Sequence, residues 1–224
     1  MVYNVLLSKQ RRDHVINYVK KQKELNAEYK VIDIGGSADY TNWSYEILDY
    51  VIDFNDFANK EIKQFNLNIN YETQWDQVIE YVKEHGKFDF CICSHTLEDL
   101  AMPSVTLKMM PLIAKEGFIA TPSKFAELSR VGDQPWLGYI HHRWIYTFKD
   151  GVYVALPKLN FIGFVPELLN LGTSNPNFSD LSFFWKDDIQ FKILNDDYLG
   201  PTVQDVINYY SILLEDDLIL ADEK

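Results

Sequence analysis

A chain of 224 residues that is 47% hydrophobic and 15% aromatic has the apolar content of a full core, which excludes a disordered protein. Its 33 acidic residues against 21 basic ones leave a net charge of −12, a balance that disfavours a nucleic-acid surface, where clustered Lys and Arg must face phosphates. No apolar run reaches the length of a membrane span, and Met1-Val2-Tyr3-Asn4-Val5-Leu6-Leu7 lacks the basic leader and long apolar core of a signal peptide.

The basic stretch from Lys9 to Lys23 carries Val15, Ile16, Val19 and, beyond it, Leu25 at helical spacing, so residues 8–27 are expected to form an amphipathic helix with a solvated charged face. Strands are expected at 30–34, at 50–54 and, shorter, from Asn66 to Asn70. Thr73 to His85 reads as a helix with Val78, Ile79 and Val82 inward and Gly86 as its stop. Phe88 to Cys93 is a buried strand, Pro103 to Ala114 a helix closed by Lys115-Glu116-Gly117, and Phe118 to Thr121 a further strand. Apolar strands alternating with helices predict a parallel sheet covered on both faces. Cys91 and Cys93 lie in one strand, where neighbours are poorly placed to bridge. They are expected to be reduced core thiols, as in a cytoplasmic protein.

Beyond residue 130 the pattern changes. Residues 131–151 are rich in Gly, Pro and aromatics, and Gly151 to Pro157 and Leu159 to Phe164 read as extended. Leu181 to Trp185 and Ile189 to Leu194 suggest a hairpin turning at Lys186-Asp187-Asp188. Thr202-Val203-Gln204-Asp205 is a capping-box start for a terminal helix over 202–219, with Val206, Ile207, Tyr210 and Leu214 on its apolar face. A single domain over 1–224, with a parallel core and a C-terminal antiparallel addition, accounts for this order.

Two strand ends carry chemistry. Val31-Ile32-Asp33-Ile34 runs into Gly35-Gly36, and Tyr50-Val51-Ile52 runs into Asp53-Phe54. Strand, glycine turn, helix, strand, acid is how an α/β sheet builds a nucleoside site at its carboxyl edge. The turn Gly35-Gly36-Ser37-Ala38-Asp39 is not G-x-G-x-x-G, and Asp39 would repel a pyrophosphate; there is no phosphate-binding G-x-x-x-x-G-K-[ST] either. A nucleoside that carries a cationic sulfonium instead of phosphates tolerates such carboxylates.

Ile32-Asp33-Ile34-Gly35-Gly36 resembles the first motif of the Rossmann-like (class I) S-adenosylmethionine-dependent methyltransferases. Lys87-Phe88-Asp89-Phe90-Cys91-Ile92-Cys93-Ser94-His95-Thr96-Leu97-Glu98-Asp99-Leu100 resembles the family's fourth-strand motif. Met110-Pro111-Leu112 through Lys115-Glu116-Gly117-Phe118-Ile119 resembles its next helix, turn and strand, so the likeness covers residues 28–125. It implies an α/β, Rossmann-like, mostly parallel seven-stranded sheet flanked by helices, with C-terminal antiparallel strands, and an S-adenosyl-L-methionine cofactor. Asp33, Gly35, Gly36 and Ser37 would form the cofactor turn. Asp53 would accept from the ribose hydroxyls, Phe54 would cover the adenine, and Ser94 and His95 would lie by the methionine part. Phe54 suits the core as well, and Asp33 could instead bond the amides of its own turn. The chain departs from the family pattern at Ser37 and Asp39, at Asn68 and Asn70, and at Asp99. A degenerate cofactor-binding domain with an assembly role is therefore the rival from another class.

Methyl transfer to a hydroxyl requires alignment and removal of a proton, for which histidine is the usual base near neutral pH. Of the five histidines, His95, His141 and His142 fall in or after the carboxyl-edge loops, whereas His14 and His85 lie on predicted helices. In an extended segment His141 and His142 would point opposite ways; His142 is preferred for the site and His141 is next. Arg143 could bind an anion or pair with Glu98 or Asp99. Glu98 and Asp99 with a histidine could hold a magnesium-type divalent ion. Trp136, Tyr139, Trp144 and Tyr146 suit a sugar ring and suit a core equally. Ala126 to Arg130, followed by Gly138 to Trp144, resembles methyltransferase domains, type 11-like, in glycan-building proteins of bacteria and large viruses. That implies an O-methyltransferase acting on a sugar or glycan, with another small metabolite as the alternative acceptor.

Overall fold

The computed structural model describes residues 1–8, 11–35, 47–53, 62–130, 133, 136–194 and 208–215. In chain order these give β1 (Val2–Leu7), α1 (Arg11–Leu25), β2 (Val31–Ile34), β3 (Tyr50–Asp53), β4 (Lys63–Asn66), α2 (Asp76–His85) and β5 (Phe88–Ser94). Next come α3 (Pro103–Ile113), β6 (Ala114–Pro122), α4 (Lys124–Glu127), β7 (Trp144–Lys149), β8 (Val152–Pro157), α5 (Pro166–Leu169), β9 (Asp180–Lys186) and β10 (Phe191–Ile193).

Seven strands form one sheet in the order β1-β9-β6-β5-β2-β3-β4. From β6 to β4 every pairing is parallel, and β9 runs antiparallel to both β6 and β1. This is the mostly parallel, Rossmann-like α/β sheet that the sequence implies. All four residues of β2 are buried, as a central strand covered on both faces requires. Ile32 and Ile34 pack with Cys91, Cys93, Trp75, Leu107 and Met110 on one face. Val31, Phe90 and Ile92 pack with Val15 and Val19 of α1 on the other. Burying each of those two valines is worth about 1.5–3 kcal/mol, enough to seat a helix whose remaining surface is mostly charged. Cys91 and Cys93 are free, and burial pushes both thiols well above their ordinary pKa.

The fold corrects three expectations and adds a strand. The short strand expected from Asn66 to Asn70 ends at Asn66 instead, as β4 (Lys63–Asn66), and Ile69-Asn70 is a turn. Leu181 to Trp185 does not form a hairpin with Ile189 to Leu194. Both edges of β9 are already taken, by β6 and β1, so no edge is left for a hairpin partner. Asp187, at φ +63°, turns the chain away, and β10 instead pairs in parallel with β8. The N-terminal segment, which sequence reasoning left without an element, is the edge strand β1. Leu159 to Phe164 is also not extended: Asn160–Phe164 is a 3-10 turn. The capping box at Thr202 to Asp205 lies outside the described residues; 208–214 are helical.

The second sheet has the order β10-β8-β7. Its strands alternate. Trp144, Tyr146, Phe148, Tyr153 and Ala155 join the core of the large sheet. Ile145, Val154 and Leu156 pack instead with Leu128, Leu137 and Leu168 in a core of their own. Period-2 burial on both faces makes this sheet the layer between the two cores. No helix among the described residues is long and apolar enough to cross a membrane.

Candidate active site

The glycine turn forms where β2 reaches the carboxyl edge. Gly35 has φ +77° and donates its N–H to the Ile52 carbonyl at 2.8 Å. A Cβ at this position would stand 2.3 Å from the Thr96 methyl, so only glycine lets the turn pass under the loop that follows β5. The Thr96 hydroxyl in turn donates to the Ile34 carbonyl at 3.3 Å. Asp33 is buried in β2, in register with Val51 and Ile92. Asp53 ends β3 opposite Asn66 and Ser94 ends β5 opposite Ala120. The positions expected to hold the nucleoside therefore fall at the carboxyl ends of neighbouring parallel strands. The Asp53 side chain, together with Gly36, Ser37, Asp39 and Phe54, lies outside the described residues.

His95 follows β5 with φ +52°, a conformation that costs a non-glycine residue about 1–3 kcal/mol and collects at functional sites. Its Nε2 lies 2.8 Å from Asp180 Oδ1, and its Nδ1 is 3.5 Å from Glu98 Oε1. Asp180 is the first residue of β9. Because β9 is antiparallel, that residue faces the same sheet edge as the ends of the parallel strands, paired with Pro122. Glu98 and Asp180 are buried and the His95 side chain is about one-third exposed (32%), so the imidazole is held at the edge between two buried carboxylates.

The histidine pair departs from its expected geometry. Residues 139–142 turn, with the His142 N–H donating to the Tyr139 carbonyl at 3.3 Å. The two rings therefore do not point opposite ways. Their centroids are 4.5 Å apart at 80°, and both Nε2 atoms approach Asp99 Oδ1, at 3.9 Å for His141 and 4.0 Å for His142. His142 is buried, and its Nδ1 stands 2.5 Å from Glu127 Oε1. The other Glu127 oxygen is taken by the Lys158 ammonium, which also donates to the Tyr139 carbonyl at 2.7 Å. A short helix presents Glu127: Ser123 caps α4 by accepting the Ala126 N–H at 3.2 Å. Gly138, at φ +51°, is the second glycine the site requires, because a Cβ there would stand 2.6 Å from Glu127 Oε2.

Arg143 pairs with neither Glu98 nor Asp99; instead its backbone N–H donates to the Glu98 carbonyl at 2.7 Å. The four aromatics divide. Trp144 and Tyr146 are buried and donate to the carbonyls of Leu100 at 2.7 Å and Leu97 at 3.0 Å. Trp136 and Tyr139 are exposed, and Trp136 lines a cleft of about 490 Å³ with Leu137, Ile140, His142, Lys158 and Leu159. Three residues of this site were not singled out from sequence: Glu127, Lys158 and Asp180. The only signal was Glu127's place in Ala126 to Arg130, just ahead of the histidine run.

No family model matches the sequence, and no curated protein does. Solved structures similar to the chain include the methyltransferase domain of bacterial CtHen1, 12% identical over 79% of this chain and 98% of that one, with a TM-score of 0.42. Magnesium protoporphyrin IX methyltransferase (ChlM) from Synechocystis PCC 6803 with bound SAH is 10% identical over 79% of this chain and 81% of its own, with a TM-score of 0.39. The N-terminal domain of EvdMO1 with SAH bound is 11% identical over 76% and 80%, with a TM-score of 0.38.

Proposed function

We propose that the protein is an S-adenosylmethionine-dependent methyltransferase that methylates a hydroxyl of a sugar or glycan. One observation carries this reading: a single loop, residues 95–102, joins the glycine turn to the histidine cleft. At one end Thr96 touches Gly35 and bonds Ile34. At the other, the carbonyls of Leu97, Glu98 and Leu100 hold Tyr146, Arg143 and Trp144. The glycine turn and the histidine segment are thus tied together by hydrogen bonds, which supports reading them as donor and acceptor sides of an in-line transfer.

The described strand ends, Asp33-Ile34-Gly35, Asp53 and Ser94-His95, suit such a cofactor. The Gly35 turn packs against Thr96 of the loop after β5, and Asp33, Gly36, Ser37, Asp53 and Phe54 are the residues expected to hold the nucleoside there. Ser94 and His95 would lie beside its amino-acid end. When bound, the cofactor supplies an electrophilic methyl group on a sulfonium, which leaves as a neutral thioether. The protein's own contribution is on the acceptor side. Glu127 accepts the Nδ1–H of His142, which leaves the lone pair on Nε2, 4.0 Å from Asp99 Oδ1. That nitrogen activates the acceptor hydroxyl, with the exposed His141 beside it and His95, anchored by Asp180, toward the donor side. The sugar reading is supported by the cleft wall, where the exposed ring of Trp136 offers an apolar face beside the polar His142 and Lys158.

Calorimetric titration with S-adenosylhomocysteine tests the donor half: a Kd below ~1 mM is expected, and no heat at that concentration overturns the enzyme reading in favour of an assembly role. Label transfer from the methyl donor into a panel of sugars and oligosaccharides tests the acceptor. Incorporation confined to non-sugar metabolites would overturn the sugar assignment while leaving the donor site intact.

A further inference from the structure

We infer that Asp99, His141 and His142 are the ligands of a divalent transition-metal ion at the rim of the cleft. Its catalytic consequence rests on the function proposed above; the site itself does not. One ligand atom from each of Asp99, His141 and His142 lies within 4.8 Å of the other two, and both Nε2 atoms point to Asp99 Oδ1, at 3.9 and 4.0 Å. At 3.9 and 4.0 Å from the carboxylate, the two ring nitrogens are too far for hydrogen bonds to it. Three potential donors therefore converge without satisfying each other. Among the described residues no other group of three His, Cys, Asp or Glu side chains converges in this way.

The surroundings of His142 point the same way. A metal-bound histidine usually gives its other ring N–H to a carboxylate, which fixes the tautomer and raises the basicity of the ligating nitrogen. Glu127 takes that role at 2.5 Å, and Lys158 offsets its charge from the far side. The segments that carry the ligands are tied together by the Arg143 N–H to the Glu98 carbonyl at 2.7 Å, and the loop is closed by the Asp99 N–H to the Thr96 carbonyl at 3.2 Å. Metal–ligand bonds of about 2.0–2.2 Å bring cis ligand atoms to roughly 3 Å apart, so the site must close by about 1 Å. Asp99 and His141 are exposed and can make that movement, while His142 stays fixed.

The donor set also selects the metal. Two imidazoles and one carboxylate suit zinc, iron(II), cobalt or nickel, whereas magnesium prefers all-oxygen ligands and retains its waters. This replaces the magnesium-type site that Glu98 and Asp99 suggested in the sequence: Glu98 turns the other way, to His95. Three protein ligands leave positions open for water or for the acceptor's hydroxyl. An ion there lowers the pKa of the bound hydroxyl, so that its proton departs to solvent and the oxygen meets the methyl group as an alkoxide. His142 then activates the acceptor through the ion instead of taking the proton itself.

The test uses the full chain, stripped with a chelator and titrated separately with zinc(II), cobalt(II) and magnesium(II). One zinc per chain and visible cobalt(II) absorption bands are expected, with zinc bound at least ~10-fold tighter than magnesium. His141→Ala and Asp99→Ala change exposed side chains, and each is expected to weaken zinc binding ~10-fold or more without moving affinity for S-adenosylhomocysteine. No zinc binding at ~1 mM, equal binding by both variants, or preference for magnesium would each overturn the site. Zinc binding by a chain that ignores S-adenosylhomocysteine would sustain the site and sink the function on which its role depends.

Discussion

The two halves of the site are built from different materials. At the end of β2 the device is the backbone: a glycine with positive φ, an N–H bonded across to β3, and a contact with Thr96 so close that it leaves no room for a Cβ. At the entrance to β7 the device is a buried charge relay, in which Lys158 holds Glu127 and Glu127 holds His142. A backbone site tolerates changes of nearby side chains but no added Cβ. A relay tolerates small shifts of backbone but not the loss of a charge. The proposed donor half is therefore expected to break at its glycine and the proposed acceptor half at its carboxylate, each break leaving the other half working.

The largest effect falls on the relay. Glu127→Ala leaves His142 and the ammonium of Lys158 without their buried partner, a loss expected to cost about 3–5 kcal/mol of stability, read from denaturant unfolding. Less severe for folding is His142→Ala, which is expected to lower methyl transfer by about 100-fold or more while the affinity for S-adenosylhomocysteine stays unchanged. A variant that loses both together would show that the halves are not separate. The converse experiment is Gly35→Ala. Strain at φ +77° and the contact with Thr96 are expected to cost about 1–3 kcal/mol of cofactor affinity or stability, with zinc uptake at the histidine pair preserved. Loss of zinc uptake in that variant would mean that the loop after β5 transmits the damage.

The same contrast decides what was legible in the sequence. Gly35 announces itself because a backbone demand forces a residue type, and the apolar runs around it fix the parallel strands by their period. Neither Lys158 nor Asp180 announces itself, because each meets its partner only after the chain has folded: Lys158 lies 31 residues from Glu127 and Asp180 lies 85 from His95. His141 and His142 were legible as a pair but not in their geometry, since the extended segment assumed for them is a turn held by Gly138. Competition for sheet edges, which sent β10 to the second sheet, is likewise a property of the assembled fold and of no local window.

The smallest expected effect tests the join between the halves. Tyr146 is fully buried, stacks on Tyr153 at 4.8 Å, and donates its hydroxyl to the Leu97 carbonyl at 3.0 Å. Tyr146→Phe keeps the ring and removes that bond, which is worth about 1 kcal/mol. Burial holds the hydroxyl's pKa well above the ordinary 10, so it stays protonated in the folded state while the unfolded chain ionises. A raised folded-state pKa means that this residue's contribution is complete below pH 10 and is lost as pH rises beyond it. The phenylalanine variant has no proton to lose there. Its deficit against the parent chain is expected to be largest at neutral pH and to narrow above pH 10, as measured by urea unfolding at a series of pH values. A constant gap would mean that the hydroxyl is not shielded as its burial requires. If affinity for S-adenosylhomocysteine falls in the same variant, the loop after β5 depends on β7 for its shape, and the donor half is then less independent of the acceptor half than its backbone construction implies.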